Sequence, residues 1–319
     1  MQRLGRMLVQ GLTSSGVRVA FLDTTTATNT AITRHNINSL PTKLRQVTAQ
    51  ALSRTLNSAV LLNMSMKGEE RVEVQVLAED PMAPLNKVHV ESISTGEVRG
   101  HIVKGASIIE DGDDVNDINS VAEALNGLGA TPILVVNKVL YDHAEKQQSF
   151  VEVPGGLIEN GLRHFYETSE QIDTNVQLHA DFSEDPTTGF VFTNSGATLL
   201  QRMPDVSDSD WDAAQHLILQ HMPQVRQEVL TAAATSRDLG SDLQATLGRI
   251  VPELTFEAEA FSRKPIDFYC RCNRDHFRDI LQRVEPEMKD DMKQQGEPVS
   301  VTCNHCNELY TFEVNELFE

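Results

Sequence analysis

Between Thr42 and Leu62 the apolar side chains Leu44, Val47, Ala51, Leu52, Leu56, Ala59 and Val60 recur at three- and four-residue intervals. Lys43, Arg45, Gln46 and Arg54 fall between them. That spacing lays one apolar stripe along a helix, and Met66-Lys67-Gly68 reads as its stop. The period then changes. Val72, Val74 and Val76 alternate with Glu73 and Gln75, the pattern of a half-buried strand. Val88-His89-Val90 and Val98 to Val103 predict two more strands around a turn at Thr95-Gly96, and the apolar run from Pro132 to Leu140 predicts a central strand. A helix is expected over Gly161–Ile172. Strands this close together, with few helices between them, predict a largely antiparallel sheet in an α+β domain. The first sixteen residues, with Arg3 and Arg6 and no acidic residue before Asp23, predict a short amphipathic helix of the fold; a transit peptide is the alternative.

Composition shifts near residue 205. An acidic cap, Asp205 to Asp210, precedes Trp211, Ala213, Ala214, Leu217 and Ile218; Pro223 interrupts, and further helices are expected over Val225–Thr235 and Asp242–Ile250. Helices this short are marginal unless docked against something else. The pattern is compatible both with a segment that opens easily and with a helical hairpin in a rigid core. From Arg263 onward a strand is expected over Ile266–Cys272, helices over Asp275–Val284 and Pro286–Gln294, and a hairpin from Val299–Cys303 and Tyr310–Val314. The organisation predicted is a core domain at 1–205, a helical linker at 206–262 and a small C-terminal domain at 263–319.

Charge narrows the function. The chain of 319 residues carries 27 Lys and Arg against 46 Asp and Glu, a formal charge of −19, and neither part holds a basic surplus. Phosphate neutralisation needs the opposite balance, so no nucleic-acid partner is expected. No apolar run approaches the roughly 20 residues that span a bilayer, and no membrane partner is expected. Pro154-Gly155-Gly156 lacks the Lys-Ser/Thr of a phosphate loop, and no ATP site is read.

Cysteine placement carries the chemistry. None of the four cysteines lies in the first 269 residues; they form Cys270-x-Cys272 and Cys303-x-x-Cys306, separated by thirty residues. Such clustering in an intracellular chain indicates a metal site or a redox device. Zinc takes four ligands tetrahedrally and accepts thiolates, so one Zn2+ per chain on Cys270, Cys272, Cys303 and Cys306 is the expectation. Four reduced structural cysteines, two metal-free redox pairs and an iron–sulfur cluster remain open alternatives. His276 and His305 are minor candidates as ligands, with His305 expected to point outward from its knuckle. Four thiolates leave no open coordination position for catalysis, and no enzyme is expected. Residues 263–319 hold few large apolar groups, so the metal should also support their folding. Zinc thiolates are oxidisable, and each close pair, Cys270–Cys272 and Cys303–Cys306, can close as a disulfide and eject the ion.

The segments FYCRCNRDHFRDIL and VTCNHCNELYTF resemble the zinc domain of the 33 kDa chaperonin family. The resemblance extends through Val17-Arg18, Asp23-Thr24-Thr25, His35, Lys67-Gly68, Glu97-Val98-Arg99-Gly100 and Ser169-Glu170-Gln171 in the family's order, and so spans essentially the whole chain. It departs at Leu157 to Gly161 and at Asp80 to Pro84, both in the core domain. The resemblance implies an ATP-independent holdase. Its reduced form holds zinc on the four thiolates and is inactive. Oxidation releases the metal, unfolds the tail and the linker at roughly 206–262, and exposes a surface for unfolding client proteins. It also implies a homodimer when oxidised and a cytoplasmic location, with mitochondrion or plastid as the alternative that the acid-poor N-terminus leaves.

Overall fold

The computed structural model describes residues 6–105, 118–126, 131–141, 146–185 and 189–318. The helix expected over Thr42–Leu62 forms over those residues, and fifteen of its twenty-one side chains are buried. It is α2, preceded by α1 (Thr25–Arg34), and it lies between two sheets. In the first sheet, β1 (Met7–Leu12), β2 (Val17–Asp23), β8 (Thr174–Asp185), β9 (Gly189–Arg202) and β10 (Ser262–Pro265) run antiparallel in the order β10-β1-β2-β9-β8. In the second, β3 (Arg71–Leu77), β4 (Leu85–Ile93), β5 (Glu97–Lys104), β6 (Ile133–Val139), β7 (Gln147–Glu152) and β11 (Asp267–Phe268) follow the order β11-β5-β4-β3-β6-β7. Only the β11–β5 pair is parallel. The architecture is α+β, as the close spacing of the strand signals implies.

The alternation in β3 is reproduced residue for residue. Val72, Val74 and Val76 are buried against α2, while Glu73 and Gln75 face outward. The outward face of β3–β5 is therefore polar, and the C-terminal tail sits on it. The expected helix over Gly161–Ile172 begins earlier, as α4 (Ile158–Phe165) after a short α3 (Val121–Asn126), and continues as a π turn over Tyr166–Glu170.

The first sixteen residues do not form the expected helix. Residues 1–5 lie outside the described residues, and Met7–Leu12 is a strand hydrogen-bonded on both sides, to β2 and to β10. Its apolar groups divide between two cores: Leu8 faces the core around α2, and Val9 faces a second one. A strand covered on both faces loses its alternation, so the period-2 signal is absent there.

That second core receives the helices expected over 206–262. Helices α5 (Asp208–Gln220), α6 (Met222–Thr235) and α7 (Leu239–Ile250) pack on the outer face of the first sheet, against Val9, Val17, Val19, Phe21 and Leu200. Ser207 caps α5 by accepting from the Asp210 N–H, and Pro223 falls in the first turn of α6, where its missing N–H costs nothing. Val225, Val229, Leu243 and Leu247 are fully buried. These helices are thus docked rather than free-standing, and their stability depends on that docking.

Past the linker the chain joins both sheets. It pairs with β1 through Pro265, and Ile266, buried between, donates its N–H to the Arg6 carbonyl. From Asp267 it pairs with β5. Of the strand expected over Ile266–Cys272 only Asp267–Phe268 forms, preceded by β10 in the other sheet. Gly96, at φ +102°, permits the crossing: a Cβ there would lie 2.0 Å from the Pro265 carbonyl oxygen. The tail then forms α8 (Arg274–Leu281), α9 (Pro286–Gln295), the hairpin β12 (Val299–Thr302) and β13 (Leu309–Phe312), and a last turn, α10 (Val314–Phe318), which the sequence pattern did not reveal.

Candidate metal centre

Both cysteine pairs are positioned by backbone. The first emerges from β11, where Tyr269 donates its N–H to the Val98 carbonyl at 3.0 Å and so fixes Cys270 beside β5. Asn273 ends this pair's segment by capping α8, accepting from the His276 N–H at 2.9 Å. The second pair sits in the turn between β12 and β13. There the Cys303 N–H donates to Glu308 O, the Asn307 N–H donates to Cys303 O, and Asn307 takes φ +59° to close the knuckle.

These two segments bring all four sulfurs within 4.8 Å of one another. Cys270 Sγ lies 3.8 Å from Cys303 Sγ, and Cys272 Sγ lies 3.4 Å from Cys306 Sγ. Four sulfurs each about 2.3 Å from one ion at the centre of a tetrahedron stand about 3.8 Å apart, so the arrangement fits a single four-thiolate metal. Among the described residues no other set of donor atoms converges in this way. His276 and His305 are outside the set. His305 does not point to solvent as expected but turns onto the outer face of the second sheet.

Electrostatics divide the four thiols. Burial pushes Cys303 and Cys306 up from the ordinary thiol range, and both are nearly inaccessible. Burial also acts on Cys270, but the backbone N–H of Cys272 and the Arg99 guanidinium outweigh it and hold that thiol below its usual value. Arg99 Nη1 lies 3.4 Å from Cys270 Sγ, and Arg99 also pairs with Glu91, a carboxylate only 3 % exposed. A groove of about 240 Å³ reaches Cys270, Cys272 and Cys306 from solvent, between Arg34 and Tyr310. A small oxidant therefore has a path to the sulfurs.

The tail is held on the core domain by polar contacts. Arg271 pairs with Glu97 at 2.6 Å and with Glu69 at 3.3 Å; Arg34 pairs with Glu308 at 2.5 Å. His35, at the end of α1, hydrogen-bonds the His305 carbonyl at 3.1 Å. His305 stacks edge-on against His89 and His101, with all three ring centroids 5.2–5.4 Å apart. Burial, reinforced by the neighbouring imidazoles, pushes His101 down to about 3. Sequence reading found the four cysteines but gave no role to Arg99, His89, His101 or Arg271. Arg99 stands inside Glu97-Val98-Arg99-Gly100, one of the segments that resemble the 33 kDa chaperonin family.

Fold and site together define a class: a two-sheet α+β protein with a docked helical layer and a C-terminal four-thiol cluster seated on a polar sheet face. A family model described as Hsp33 protein matches residues 6–313, and the chain belongs to that family of chaperones. Curated relatives called 33 kDa chaperonin include one from Desulforamulus reducens, 25% identical over 313 residues, covering 97% of this chain and 95% of the relative. Another, from Geobacillus kaustophilus, is 25% identical over 316 residues, covering 98% and 97%. Among solved structures, the 33 kDa chaperonin (heat shock protein 33 homolog) of Thermotoga maritima is similar in fold, with a TM-score of 0.66 at 20% identity, covering 98% of this chain and 96% of that one. No helix among the described residues is long and apolar enough to cross a membrane.

The sheet face beneath the linker helices carries a titratable group. Burial, and then the Arg226 guanidinium of α6, push His179 on β8 down to about 4, against the opposing charge of Asp181. The unfolded chain then binds more protons than the folded one between pH 4 and about 6.5, so this contribution is complete above pH 6.5 and is lost as pH falls toward 4. The loss is of order 3 kcal/mol at most. Urea midpoints at pH 7 and pH 4.5 should differ less in His179→Gln than in the parent; an equal difference would mean that His179 does not contribute.

Proposed function

We propose that the chain is a redox-regulated holdase that works without ATP, silent when reduced and active when oxidised. The carrying observation is the convergence of Cys270, Cys272, Cys303 and Cys306, from two distant segments, within 4.8 Å in a tail whose core is only three buried side chains, Leu281, Phe312 and Leu317. Four thiolates at this spacing suit one Zn2+ per chain. A bound zinc supplies a cross-link between the two segments, and its four-sulfur shell leaves no coordination site for substrate. The reading is accordingly not of an enzyme.

In this reading two peroxide molecules oxidise the four cysteines, each taking two electrons from one local pair. One S–S bond forms in Cys270–Cys272 and one in Cys303–Cys306; each peroxide O–O bond breaks and, with two protons, leaves as two waters. The sulfurs then no longer act as thiolate ligands. Local pairing matters to the outcome. Joining Cys270 to Cys303 would keep the two segments stapled, whereas local disulfides free them from each other. The tail, residues 263–319, then loses its order, and with it the docking of the linker, residues 206–262. The linker helices leave Val9, Val17, Val19 and Phe21 on the sheet, and their own apolar faces, available to unfolding client proteins. Oxidised chains act as homodimers, in the cytoplasm, where the resting thiols stay reduced.

Aggregation of a thermally unfolding client, followed by light scattering without ATP, tests this directly. Protein pretreated with hydrogen peroxide at elevated temperature should suppress scattering at stoichiometric amounts and release close to one zinc per chain, while the reduced form leaves aggregation unchanged. Equal suppression by both forms would separate chaperone activity from redox state.

A further inference from the structure

The seam between the second sheet and the tail encloses a groove of about 700 Å³. The sheet lines it with Arg71, Lys87 and Arg99, the tail adds Arg271, and no carboxylate is among its lining residues. On a chain of net charge −19 this is a reversal of the bulk charge. Glu91 pairs with Arg71 and Arg99, and Glu97 with Arg271, which fixes the guanidinium groups in place. Lys87 makes no ion pair among the described residues.

The imidazoles add donors. His89 and His101 face each other across β4 and β5, and His305 of the tail closes the triangle. Each ring has one buried nitrogen without a hydrogen-bond partner: His89 Nε2, His101 Nδ1 and His305 Nδ1. The three rings also line the groove, so the cluster carries more donor capacity than the protein itself satisfies. The Lys87 ammonium, unpaired among the described residues, and the absence of a lining carboxylate disfavour a metal ion there. An acceptor of negative charge satisfies both features, because imidazole N–H groups, guanidinium and ammonium groups all donate to oxyanion oxygens.

We propose that this seam binds a small phosphate-class oxyanion, which bridges Lys87, His89 and His101 of the sheet to His305 and Arg271 of the tail. The volume accommodates a diphosphate or a nucleotide-sized ester. Because the anion touches both bodies, it binds the docked tail and not the released one, and so holds the switch closed. The site is present in the reduced protein whatever oxidation does, so its test is separate from that of the holdase reading.

The experiment uses the full-length, reduced, zinc-loaded protein in isothermal titration with pyrophosphate and, separately, with ADP, each against chloride of matched ionic strength. We expect one site per chain with Kd below about 1 mM. At ten times Kd, proteolysis of the tail should slow about ten-fold. Similar affinity for both ligands assigns the site to the bare diphosphate, and tighter binding of ADP assigns it to a phosphate ester. The double variant Lys87→Gln, His101→Gln should weaken binding at least ten-fold while keeping its zinc content. Lys87→Gln alone, a change at a half-buried side chain, should weaken it in the same direction if the double variant does not fold. No binding at 10 mM, or undiminished binding by these variants, would overturn the proposal.

Discussion

Replacing Cys303 and Cys306 together by serine should leave residues 270–318 without fixed structure while the two-sheet core stays folded. The tail's own cluster has three buried members, Leu281, Phe312 and Leu317, with Phe277, Val299, Val301, Tyr310 and Phe318 only partly covered. The contacts that add to it are few: Arg274 pairs with Glu316 at the surface, where solvent screening leaves little, and covers the buried Phe312 ring at 4.3 Å. A unit of this size cannot offset the entropy of ordering its backbone from such a core. A four-thiolate zinc site in a small domain contributes on the order of 10–16 kcal/mol, which exceeds every other stabilising contribution in the tail. Serine hydroxyls remove two of the four ligands with little change in volume, so the loss is of the metal and not of packing. Zinc content should fall below about a tenth of an ion per chain. Limited proteolysis should cut throughout the tail while β1–β9 resist. A protease-resistant tail in this variant would falsify the assignment of the metal as its staple.

The sequence signals that succeeded share a physical feature. Helix α2 and strand β3 each bury residues in a repeating register against the central core, so Leu52 and Leu56, or Val72 and Val74, announce their neighbours at fixed spacing. Strand β1 failed for the opposite reason: Leu8 and Val9 are both buried, in different cores, and Phe261 packs directly over Gly11. The piece from Ser262 to Phe268 failed because a change of sheet at Pro265–Asp267 leaves no mark in hydrophobic period. The candidate site divides in the same way. Its sulfurs were legible because ligand spacing is local. Arg99 and His101 were not, because their partners are set by cross-strand register, Arg99 opposite Glu91 and His101 opposite His89, and by a tail two hundred residues further along. The linker was legible as helices, with Trp211, Ile218 and Leu247 on their buried faces, but not as docked, because the surface that receives it is the far side of a sheet whose strands come from both ends of the core domain.

That docking has a buried polar fastening at Arg226, and removing it should lower the threshold of the proposed switch. Arg226 of α6 is 9 % exposed; it donates from Nη2 to the Leu22 carbonyl and from Nη1 to Asn194 Oδ1, both at 2.7 Å. Burial pulls this guanidinium below the ordinary arginine range, while Asp23 and Asp181 oppose that pull. The approach is possible because residue 196 is glycine: a Cβ there would stand 2.1 Å from Nη2 and 2.0 Å from the Leu22 carbonyl oxygen. Arg226→Met keeps the length of the side chain but removes both charge-assisted bonds, each worth about 1.5–3 kcal/mol, and leaves their acceptors short of a donor. Part of this is returned, since a buried cation no longer has to be desolvated, and a net cost of about 3 kcal/mol is the expected balance. For a unit of this size that lowers the unfolding midpoint of the linker by roughly 12–24 °C. Because the cost falls on the docking of α5–α7 and not on the cysteines, zinc content and the rate of thiol oxidation should match the parent. The temperature at which peroxide-treated protein begins to suppress client aggregation should fall by a similar amount. Gly196→Ala should act in the same direction by displacing the arginine. An unchanged activation temperature in both variants, with the linker midpoint lowered as expected, would mean that linker release does not limit activation and that loss of order in the tail alone sets the threshold.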